Sequence, residues 1–291
     1  MNEWKNKKIA VIGSGFMGAG IAQVSAMAGL DVLVHDTRAE AMNKALDTIR
    51  WSLEKLKSKG RFDGNPDDVM QRIHTSEELD GLAFADMVIE AVYESVPLKQ
   101  ELLDNLGKIL RPEVIIGSNT SSIPMAVLSE KVPCPERFIG THFFGPVPLM
   151  GLVELVIGPA TSEHVLERAK SFIRFIGKRP VIVRKPSPGF LVNRIFNAAA
   201  FEAIRCYAEG VGTPEDIDAA MRLGYGWAAG PFEVLDNAGL DVVAGIFKVM
   251  GTEPPQRIKD MVEKGHLGRK TGHGFYRYGP DGKKIVEETD K

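Results

Sequence analysis

Short apolar segments that alternate with helical patterns are the feature that most constrains the fold of this chain. Several of these segments are apolar at successive positions, which is typical of strands covered on both faces. The predicted strands are KIAVIG (8–13), DVLVHD (31–36), ADMVIEAV (85–92), VIIGSN (114–119), RFIGTHFF (137–144), LVELVIG (152–158) and RPVIVR (179–184). The alternation predicts an α/β fold with a doubly wound, mainly parallel sheet.

A break in this pattern predicts two domains. The segment KPSPGF (185–190) contains two prolines and a glycine, and strand signals nearly vanish after it. Helical patterns follow, and Thr213 before Pro214 is typical of a capped helix start. We therefore predict a sheet domain over residues 1–185 and an all-α domain over residues 186–291. The helical segments are 191–210, 213–224, 231–251 and 254–265, and a long charged segment, 38–61, is interpreted as a helical arm on the first domain.

A glycine-rich turn indicates what the first domain binds. Gly13, Gly15 and Gly18 form a G-x-G-x-x-G pattern between the first strand and a helical segment, and the second strand ends on Asp36. Glycines there allow a tight turn, backbone approach to a pyrophosphate and close helix packing. This context favours a Rossmann-type dinucleotide site over a purely structural turn. The predicted cofactor contacts are Gly13, Gly15, Phe16, Met17, Gly18 and Asp36.

The residue that ends the second strand also bears on the choice of dinucleotide. A carboxylate at Asp36 accepts hydrogen bonds from a free ribose 2′-hydroxyl and repels a 2′-phosphate. Arg38 is the counter-indication, because a guanidinium two residues later suits that phosphate. The sequence therefore favours NAD over NADP.

Composition excludes several other functions. The formal net charge of −2 gives no footprint for nucleic acid. Cys134 and Cys206 have no metal-ligand spacing, so no metal is expected, and their small number fits a reducing, cytoplasmic compartment. The uncharged run 9–30 carries five glycines, which suit a strand, a turn and a buried helix better than a membrane span.

One histidine ends a predicted strand. His142 closes the fifth predicted strand, and the loop GPVP (145–148) turns the chain towards a strand that contains Glu154. If the two strands lie side by side, the carboxylate can orient the imidazole and stabilise its charged form. By spacing alone, a structural histidine is an equally good interpretation.

Seven motifs in order along the chain resemble the L-3-hydroxyacyl-CoA dehydrogenase family, which includes the 3-hydroxybutyryl-CoA dehydrogenases. They are GSGFMGAGIAQ (13–23), EAVYESVPLK (90–99), SNTSS (118–122), HFFGPVPLMGLVE (142–154), PGFLVNR (188–194), GPFEVLDNAGLD (230–241) and KTGHGFY (270–276). The resemblance implies reversible NAD-dependent oxidation of a 3-hydroxyacyl-CoA to a 3-oxoacyl-CoA. It is compatible with fatty acid metabolism, butyrate metabolism or a ring-degradation route, and it fixes neither the pathway, nor the physiological direction, nor the chain length of the acyl group.

The resemblance also implies roles for individual residues. His142 matches the family's catalytic base and Glu154 its paired carboxylate, while Ser121 and Asn193 match residues that hold the substrate oxygens. Because Asn193 lies in the helical domain, the site is expected in the cleft between the domains. Further matches are Glu94, Lys99, Ser121 and Lys270 near the cofactor and Ser52 and Lys59 at the coenzyme A nucleotide. The family implies a homodimer that assembles through the helical domain.

Two positions depart from the family pattern. The family usually has asparagine where this chain has Gly145, and lysine where it has Gly151. The first change removes a polar side chain near the nicotinamide, and the second removes a cation beside the glutamate. Two alternatives therefore stay open. One is an NAD-dependent dehydrogenase of a free hydroxy acid or a carnitine-like alcohol. The other is a cofactor-binding homologue with impaired catalysis.

Overall fold

A computed structural model describes residues 3–185, 187–249 and 253–285 of the 291-residue chain. Two compact units divide between Leu191 and Val192, whereas the sequence places the division at residue 185. The N-terminal unit covers residues 1–191 and the C-terminal unit residues 192–291. Among the described residues, no helix combines the length and apolar character that crossing a bilayer requires.

The N-terminal unit is built on one eight-stranded sheet. Its strands are β1 (Lys8–Ile12), β2 (Asp31–His35), β3 (Ile73–Ser76), β4 (Met87–Glu90), β5 (Ile115–Ser118), β6 (Phe138–Phe143), β7 (Leu152–Val156) and β8 (Arg179–Val183). They lie in the order β3-β2-β1-β4-β5-β6-β7-β8. The first six run parallel, β7 is antiparallel to β6, and β8 is parallel to β7. The predicted doubly wound, mainly parallel sheet is confirmed.

Helices cover the sheet and explain its continuous apolar strands. They are α1 (Phe16–Met27), α2 (Ala39–Ser58), α3 (Pro66–Met70), α4 (Val96–Ile109), α5 (Met125–Ser129) and α6 (Glu163–Phe175). Two apolar cores result, one around Val11, Ile21 and Phe172 and the other around Ile12, Leu103 and Phe138. Adjacent residues of β1, Val11 and Ile12, belong to different cores because successive side chains of a strand point to opposite faces.

One predicted feature of this unit is present, and one strand was not predicted. The segment predicted as a helical arm forms α2, which packs on α1 and α3 through a buried stripe that includes Ile49 and Leu53. A further strand, β3, was missed. It is four residues long, lies at the sheet edge and buries only Ile73, so its sequence, IHTS, carries little strand signal.

The C-terminal unit is helical, with isolated β-bridges between residues 268 and 284. Its helices are α7 (Val192–Ala208), α8 (Pro214–Tyr225), α9 (Pro231–Ala238), α10 (Leu240–Val249) and α11 (Gln256–Glu263). The predicted cap is present, since the Thr213 side chain accepts a hydrogen bond from the Asp216 N–H. The single helix predicted over 231–251 is instead two, because Gly239 adopts φ +98° between α9 and α10.

Candidate active site

A histidine and a glutamate face each other across two neighbouring strands. His142 on β6 and Glu154 on β7 are directly opposite in the antiparallel register. The His142 Nδ1 atom lies 2.8 Å from Oε2 of Glu154. An ionised carboxylate can only accept, so Nδ1 carries the hydrogen and Nε2 remains able to exchange a proton. The pairing expected from the loop and strand pattern is therefore present in the structure.

The surroundings of the pair exclude water and fix its orientation. His142 is 5% exposed and Glu154 is fully buried. The imidazole packs against the rings of Phe144 and Phe190, at centroid distances of 4.5 and 5.5 Å. The second carboxylate oxygen, Oε1 of Glu154, accepts a hydrogen bond from the Leu191 N–H at 3.0 Å. Both oxygens are therefore held, and the carboxylate keeps a fixed position beside the ring.

The loop after β5 lies next to the end of the histidine strand. Asn119 Oδ1 accepts from the Phe143 N–H at 2.9 Å, and the Asn119 N–H donates to the Glu90 carbonyl. These bonds connect the carboxyl ends of β4, β5 and β6, where ligands bind in open α/β sheets. Ser121, two residues further on, is exposed in the same loop.

Glu94 organises this loop. Its Oε1 atom accepts from the Thr120 hydroxyl at 2.5 Å, from the Ser121 N–H at 3.1 Å and from the Ser122 N–H at 3.2 Å. Burial opposes ionisation, but the hydrogen bond from the Thr120 hydroxyl, the charge of Lys99 and the hydrogen bond from the Ser122 hydroxyl outweigh it and hold the pKa of Glu94 below its ordinary value. Glu94 is thus an ionised anchor for the backbone that carries Ser121.

Lys99 is placed behind this anchor. Its side chain is 1% exposed, and its ammonium lies 2.5 Å from Glu90 Oε1 and 3.2 Å from Glu94 Oε2. Glu90 is itself fully buried and accepts further hydrogen bonds from the Val92 N–H and the Ser118 hydroxyl. Because Lys99 is buried and contacts Glu94, it is placed to position the Glu94 carboxylate, and through it the loop at the predicted cofactor site.

The glycine-rich turn has the geometry that a dinucleotide needs. Gly13 adopts φ +95°, and a Cβ at Gly18 would lie 1.8 Å from the Gly13 carbonyl oxygen, so both positions require glycine. A Cβ at Gly15 would meet no atom within 4 Å, which leaves its backbone open to a pyrophosphate. The first turn of α1, which begins at Phe16, contains no acidic residue to oppose an anion.

The acid at the end of β2 is held by a residue of the glycine motif. Asp36 Oδ2 accepts from the Ser14 N–H at 2.9 Å and from the Ser14 hydroxyl at 2.7 Å. Burial raises the pKa of Asp36, but these hydrogen bonds and those with Arg38 outweigh it, so the pKa is lowered. The Arg38 side chain is 77% exposed, and its Nε atom lies 3.9 Å from the carboxylate. Asp36 is therefore an anion in a fixed position, able to accept hydrogen bonds from the ribose of a dinucleotide.

A cavity of about 320 Å³ lies beside α1 and α2. Its walls include Phe16 and the loop after the histidine strand, from Pro146 to Leu149. Ser52 and Lys59, the two residues assigned to a coenzyme A nucleotide, also line it. The cavity thus connects the predicted nucleotide contacts with the segment that follows His142.

The two glycines that depart from the family pattern have different surroundings. A Cβ at Gly145 would lie 2.6 Å from Cε1 of Phe16, so the Phe16 ring occupies the space beside the glycine. At Gly151 a Cβ would meet no atom within 4 Å. The loop between β6 and β7 is nevertheless contacted by a buried cation. The Lys178 ammonium donates hydrogen bonds to the carbonyls of Val147 and Met150 at 2.7 and 2.6 Å.

Two predicted site residues belong to the C-terminal unit. Asn193 lies in the first turn of α7 and is half-buried. The Lys270 ammonium lies 2.6 Å from Oδ1 and 2.7 Å from Oδ2 of Asp241, so in this structure it forms an ion pair. The roles of both residues towards substrate and cofactor stay predictions from the resemblance.

Sequence reasoning missed several residues that support the site. Ser14, Glu90 and Asn119 each fix a predicted site residue or its strand. Ser14 and Asn119 lie inside quoted motifs, and Glu90 is an acid at the end of an apolar strand, so a signal existed for all three. Lys178 follows a glycine before β8 and has no feature that separates it from a surface lysine.

This combination of fold and site defines a class of protein. A mainly parallel sheet with a glycine-rich first turn, an acid at the end of β2 and a buried histidine at the carboxyl end of β6 is typical of NAD-dependent dehydrogenases.

Comparison with known proteins defines the family. Residues 8–186 match the NAD-binding domain of 3-hydroxyacyl-CoA dehydrogenase, and residues 189–278 match its C-terminal domain. A probable 3-hydroxybutyryl-CoA dehydrogenase of Deinococcus radiodurans is 42% identical, over 93% of this chain and 100% of the relative. The mitochondrial hydroxyacyl-coenzyme A dehydrogenase of Sus scrofa is 39% identical, over 94% of this chain and 91% of the relative.

A solved structure agrees with these matches. The crystal structure of (S)-3-hydroxybutyryl-CoA dehydrogenase PaaH1 from Ralstonia eutropha superposes with a TM-score of 0.87 at 38% identity, over 94% of this chain and 100% of the other. The chain belongs to the 3-hydroxyacyl-CoA dehydrogenase family, and it is an oxidoreductase that uses NAD.

Proposed function

We propose that this enzyme interconverts (S)-3-hydroxybutyryl-CoA and acetoacetyl-CoA, with His142 as the acid–base residue. The observation that carries the proposal is the buried contact between His142 Nδ1 and Glu154 at 2.8 Å, at the carboxyl end of the sheet. The named relatives support the acyl-CoA substrate, since two of them are called 3-hydroxybutyryl-CoA dehydrogenases. A role in fatty acid or butyrate metabolism follows from this chemistry.

Gly13, Gly15, Gly18 and Asp36 would hold NAD, which would accept the hydride that leaves C3 of the substrate. In that direction the Nε2 atom of His142 takes the proton of the 3-hydroxyl group, and the C3–O bond becomes a carbonyl. Glu154 stabilises the imidazolium through Nδ1. The Glu154 carboxylate keeps its position beside the ring because the Leu191 N–H donates a hydrogen bond to its other oxygen.

The chain's other polar groups orient the substrate. Ser121 lies in an exposed loop whose backbone is fixed by Glu94, so its hydroxyl can bind a substrate oxygen without first becoming ordered. Asn193 supplies a second hydrogen bond in this proposal. The half-buried ring of Phe144 and the buried ring of Phe190 pack on His142 and shield it from water, which strengthens the electrostatic effect of Glu154.

The test is the oxidation of NADH by the purified enzyme with acetoacetyl-CoA, with NADPH in a parallel assay. We expect turnover with NADH and a fall in kcat of about 10²- to 10⁴-fold in His142→Ala. His164→Ala is the control, because His164 lies in the first turn of α6 and is exposed. Equal activity of His142→Ala and the unmodified enzyme would exclude His142 as the acid–base residue.

The alternative substrates are tested in the same assay. Acetoacetate and dehydrocarnitine carry the same reacting carbonyl without coenzyme A. We expect kcat/KM for acetoacetyl-CoA to exceed both values, because Ser52 and Lys59 line a cavity and can contact a coenzyme A nucleotide that the two smaller substrates lack. If acetoacetate or dehydrocarnitine is turned over faster, the substrate belongs to that class and is not an acyl-CoA. If the enzyme binds NADH but turns over none of the three substrates, it is a cofactor-binding homologue with impaired catalysis.

We also propose a homodimer that assembles through the C-terminal unit and acts in the cytoplasm. Supporting the first point, six large apolar side chains in the described part of this unit are at least half exposed, namely Ile195, Val211, Leu223, Tyr225, Val242 and Ile285. The second point is supported by the cysteines, since neither Cys134 nor Cys206 forms a disulfide.

A further inference from the structure

An exposed tryptophan stands on a basic face of α2. The Trp51 side chain is 59% exposed, although Leu53 on the opposite side of the helix is fully buried. Lys55 and Lys59 follow Trp51 at intervals of four residues, so the three side chains share one face of the helix and its end. A large aromatic surface is thus offered to solvent beside two cations.

Trp51 lines the same cavity as the loop that follows His142. The cavity is bounded on one side by Trp51, Lys55, Lys59 and Arg61. Its other wall is apolar and includes the loop 146–149. A ligand that extends from the loop towards α2 therefore passes along apolar surface and ends among cations and an indole ring.

The cations at this end are not neutralised by the protein. The Lys55 ammonium lies 4.3 Å from the centroid of the Trp51 ring. Within the described ranges, no carboxylate lies within ion-pair distance of Lys55, Lys59 or Arg61, whereas Arg50 on the same helix is 2.7 Å from Asp67. Unpaired cations beside an exposed aromatic ring match a ligand that combines phosphate groups with a planar base.

We propose that the Trp51 indole stacks on the adenine ring of the substrate's coenzyme A, while Lys55 and Arg61 bind its phosphates together with Lys59. This inference rests on the proposed function, because the occupant is the nucleotide end of an acyl-CoA. The apolar wall suits the pantetheine chain between the nucleotide and the reacting acyl group. Trp51 is then a binding residue that favours coenzyme A thioesters over shorter thioesters.

A comparison of two substrates isolates the contribution that the nucleotide makes to substrate binding. Acetoacetyl-CoA and acetoacetyl-N-acetylcysteamine carry the same reacting group, but only the first has an adenine. We expect Trp51→Ala to raise KM for acetoacetyl-CoA about tenfold and to leave KM for the short thioester unchanged. Trp51→Phe keeps a smaller ring and should show an intermediate rise. The control is Phe84→Ala, which removes another exposed aromatic of the same unit outside this cavity.

Fluorescence gives a second readout that does not depend on turnover. The chain has three tryptophans, and Trp4 is 1% exposed. In a Trp227→Phe background, the exposed emission comes from Trp51, so titration with 3′-phosphoadenosine 5′-diphosphate should quench it. No quenching, or the same quenching in Trp227→Phe with Trp51→Phe added, would overturn the stacking.

The outcomes separate this inference from the function on which it rests. If the unmodified enzyme turns over both thioesters but Trp51→Ala changes neither KM, the stacking is wrong and the proposed function stands. A rise in KM for both substrates would also overturn it, because the short thioester has no adenine to lose. If the unmodified enzyme turns over neither thioester, the proposed function itself fails, whatever the fluorescence titration gives.

Discussion

Three carboxylates of the N-terminal unit hold the candidate site because their oxygens accept several hydrogen bonds each. Glu154 is bound by His142 and the Leu191 N–H, and Glu90 by Lys99, Ser118 and the Val92 N–H. Buried charges of this kind are costly unless they are paired, so each fixes the position of its partners. Glu94 is 34% exposed and is not a buried charge, but its hydrogen bonds also fix the loop that carries Ser121.

The lowered pKa of Glu94 predicts a specific pH dependence. The folded-state pKa lies below the ordinary value of 4.5, so the contribution of Glu94 to stability is present above that value and is lost as the pH falls through the folded pKa. We expect Glu94→Gln to lower the free energy of unfolding at pH 7, and the difference from the unmodified protein to shrink below pH about 5.

Urea unfolding of both proteins between pH 7 and pH 3 measures this difference. The control is Glu101→Gln, which neutralises an exposed glutamate on α4 of the same unit. A difference in unfolding free energy that stays constant across the series would show that the charge of Glu94 does not stabilise the fold.

Gly145 and Phe16 predict a coupling between two substitutions. In Gly145→Asn the new Cβ would lie 2.6 Å from Phe16 Cε1, and the 66% exposed ring must turn away. We expect a loss of stability of about 1 kcal/mol, which Phe16→Ala in the same chain should largely remove. A double-mutant cycle by thermal unfolding measures the coupling, with NADH affinity as a second readout. Additive effects of the two substitutions would contradict the contact.

At the scale of elements, the loop between β6 and β7 depends on a lysine from another part of the chain. Lys178, just before β8, is 8% exposed, and burial lowers the pKa of its ammonium group. It donates to two carbonyls of the loop, those of Val147 and Met150. Without it, two loop carbonyls would lose a charged donor. Lys178 is therefore a positioning residue for the wall of the cavity.

Lys178→Met tests this attachment. The thioether has a similar length but no donor, so we expect a loss of about 1 to 3 kcal/mol in unfolding free energy. Because Val147 lines the cavity, KM for acetoacetyl-CoA should rise more than kcat falls. Lys131→Met serves as the matched control at an exposed lysine of the same unit. Unchanged KM together with reduced stability would limit Lys178 to a structural role.

At the scale of the whole molecule, the exposed apolar side chains of the C-terminal unit predict its assembly. Leu223 near the end of α8 is 88% exposed and Tyr225 is 82% exposed. Such side chains are covered when identical surfaces pair about a two-fold axis. A homodimer through this unit would remove them from water.

Leu223→Glu should therefore shift the dimer towards monomers, because an interface would have to bury an unpaired carboxylate. Size-exclusion chromatography with light scattering measures the mass against the 31.8 kDa of one chain. Phe84→Glu places the same charge on an exposed aromatic of the N-terminal unit and should leave the mass unchanged. A monomeric unmodified protein, or a dimer that survives Leu223→Glu, would contradict an interface at this position.

Sequence alone determined the elements that follow from local patterns. The seven predicted strands, the glycine-rich turn, Asp36 at the end of β2 and the cap at Thr213 are confirmed, because strand burial, turn geometry and capping depend on adjacent residues. Two features were not predicted. The helical pattern over 231–251 continues through Gly239, so the sequence does not show that two helices meet there. The edge strand β3 buries only one side chain, so it leaves no apolar pattern.

Only the tertiary structure decided how charged side chains are used. Apart from the family resemblance, no local pattern separates Lys99, Lys178 and Lys59, yet Lys99 lies buried between two glutamates, Lys178 holds a loop and Lys59 lines a cavity. Likewise, the distance between His142 and Glu154 depends on the antiparallel register of β6 and β7. Burial and long-range pairing are set by segments far apart in the chain, so no local pattern contains them.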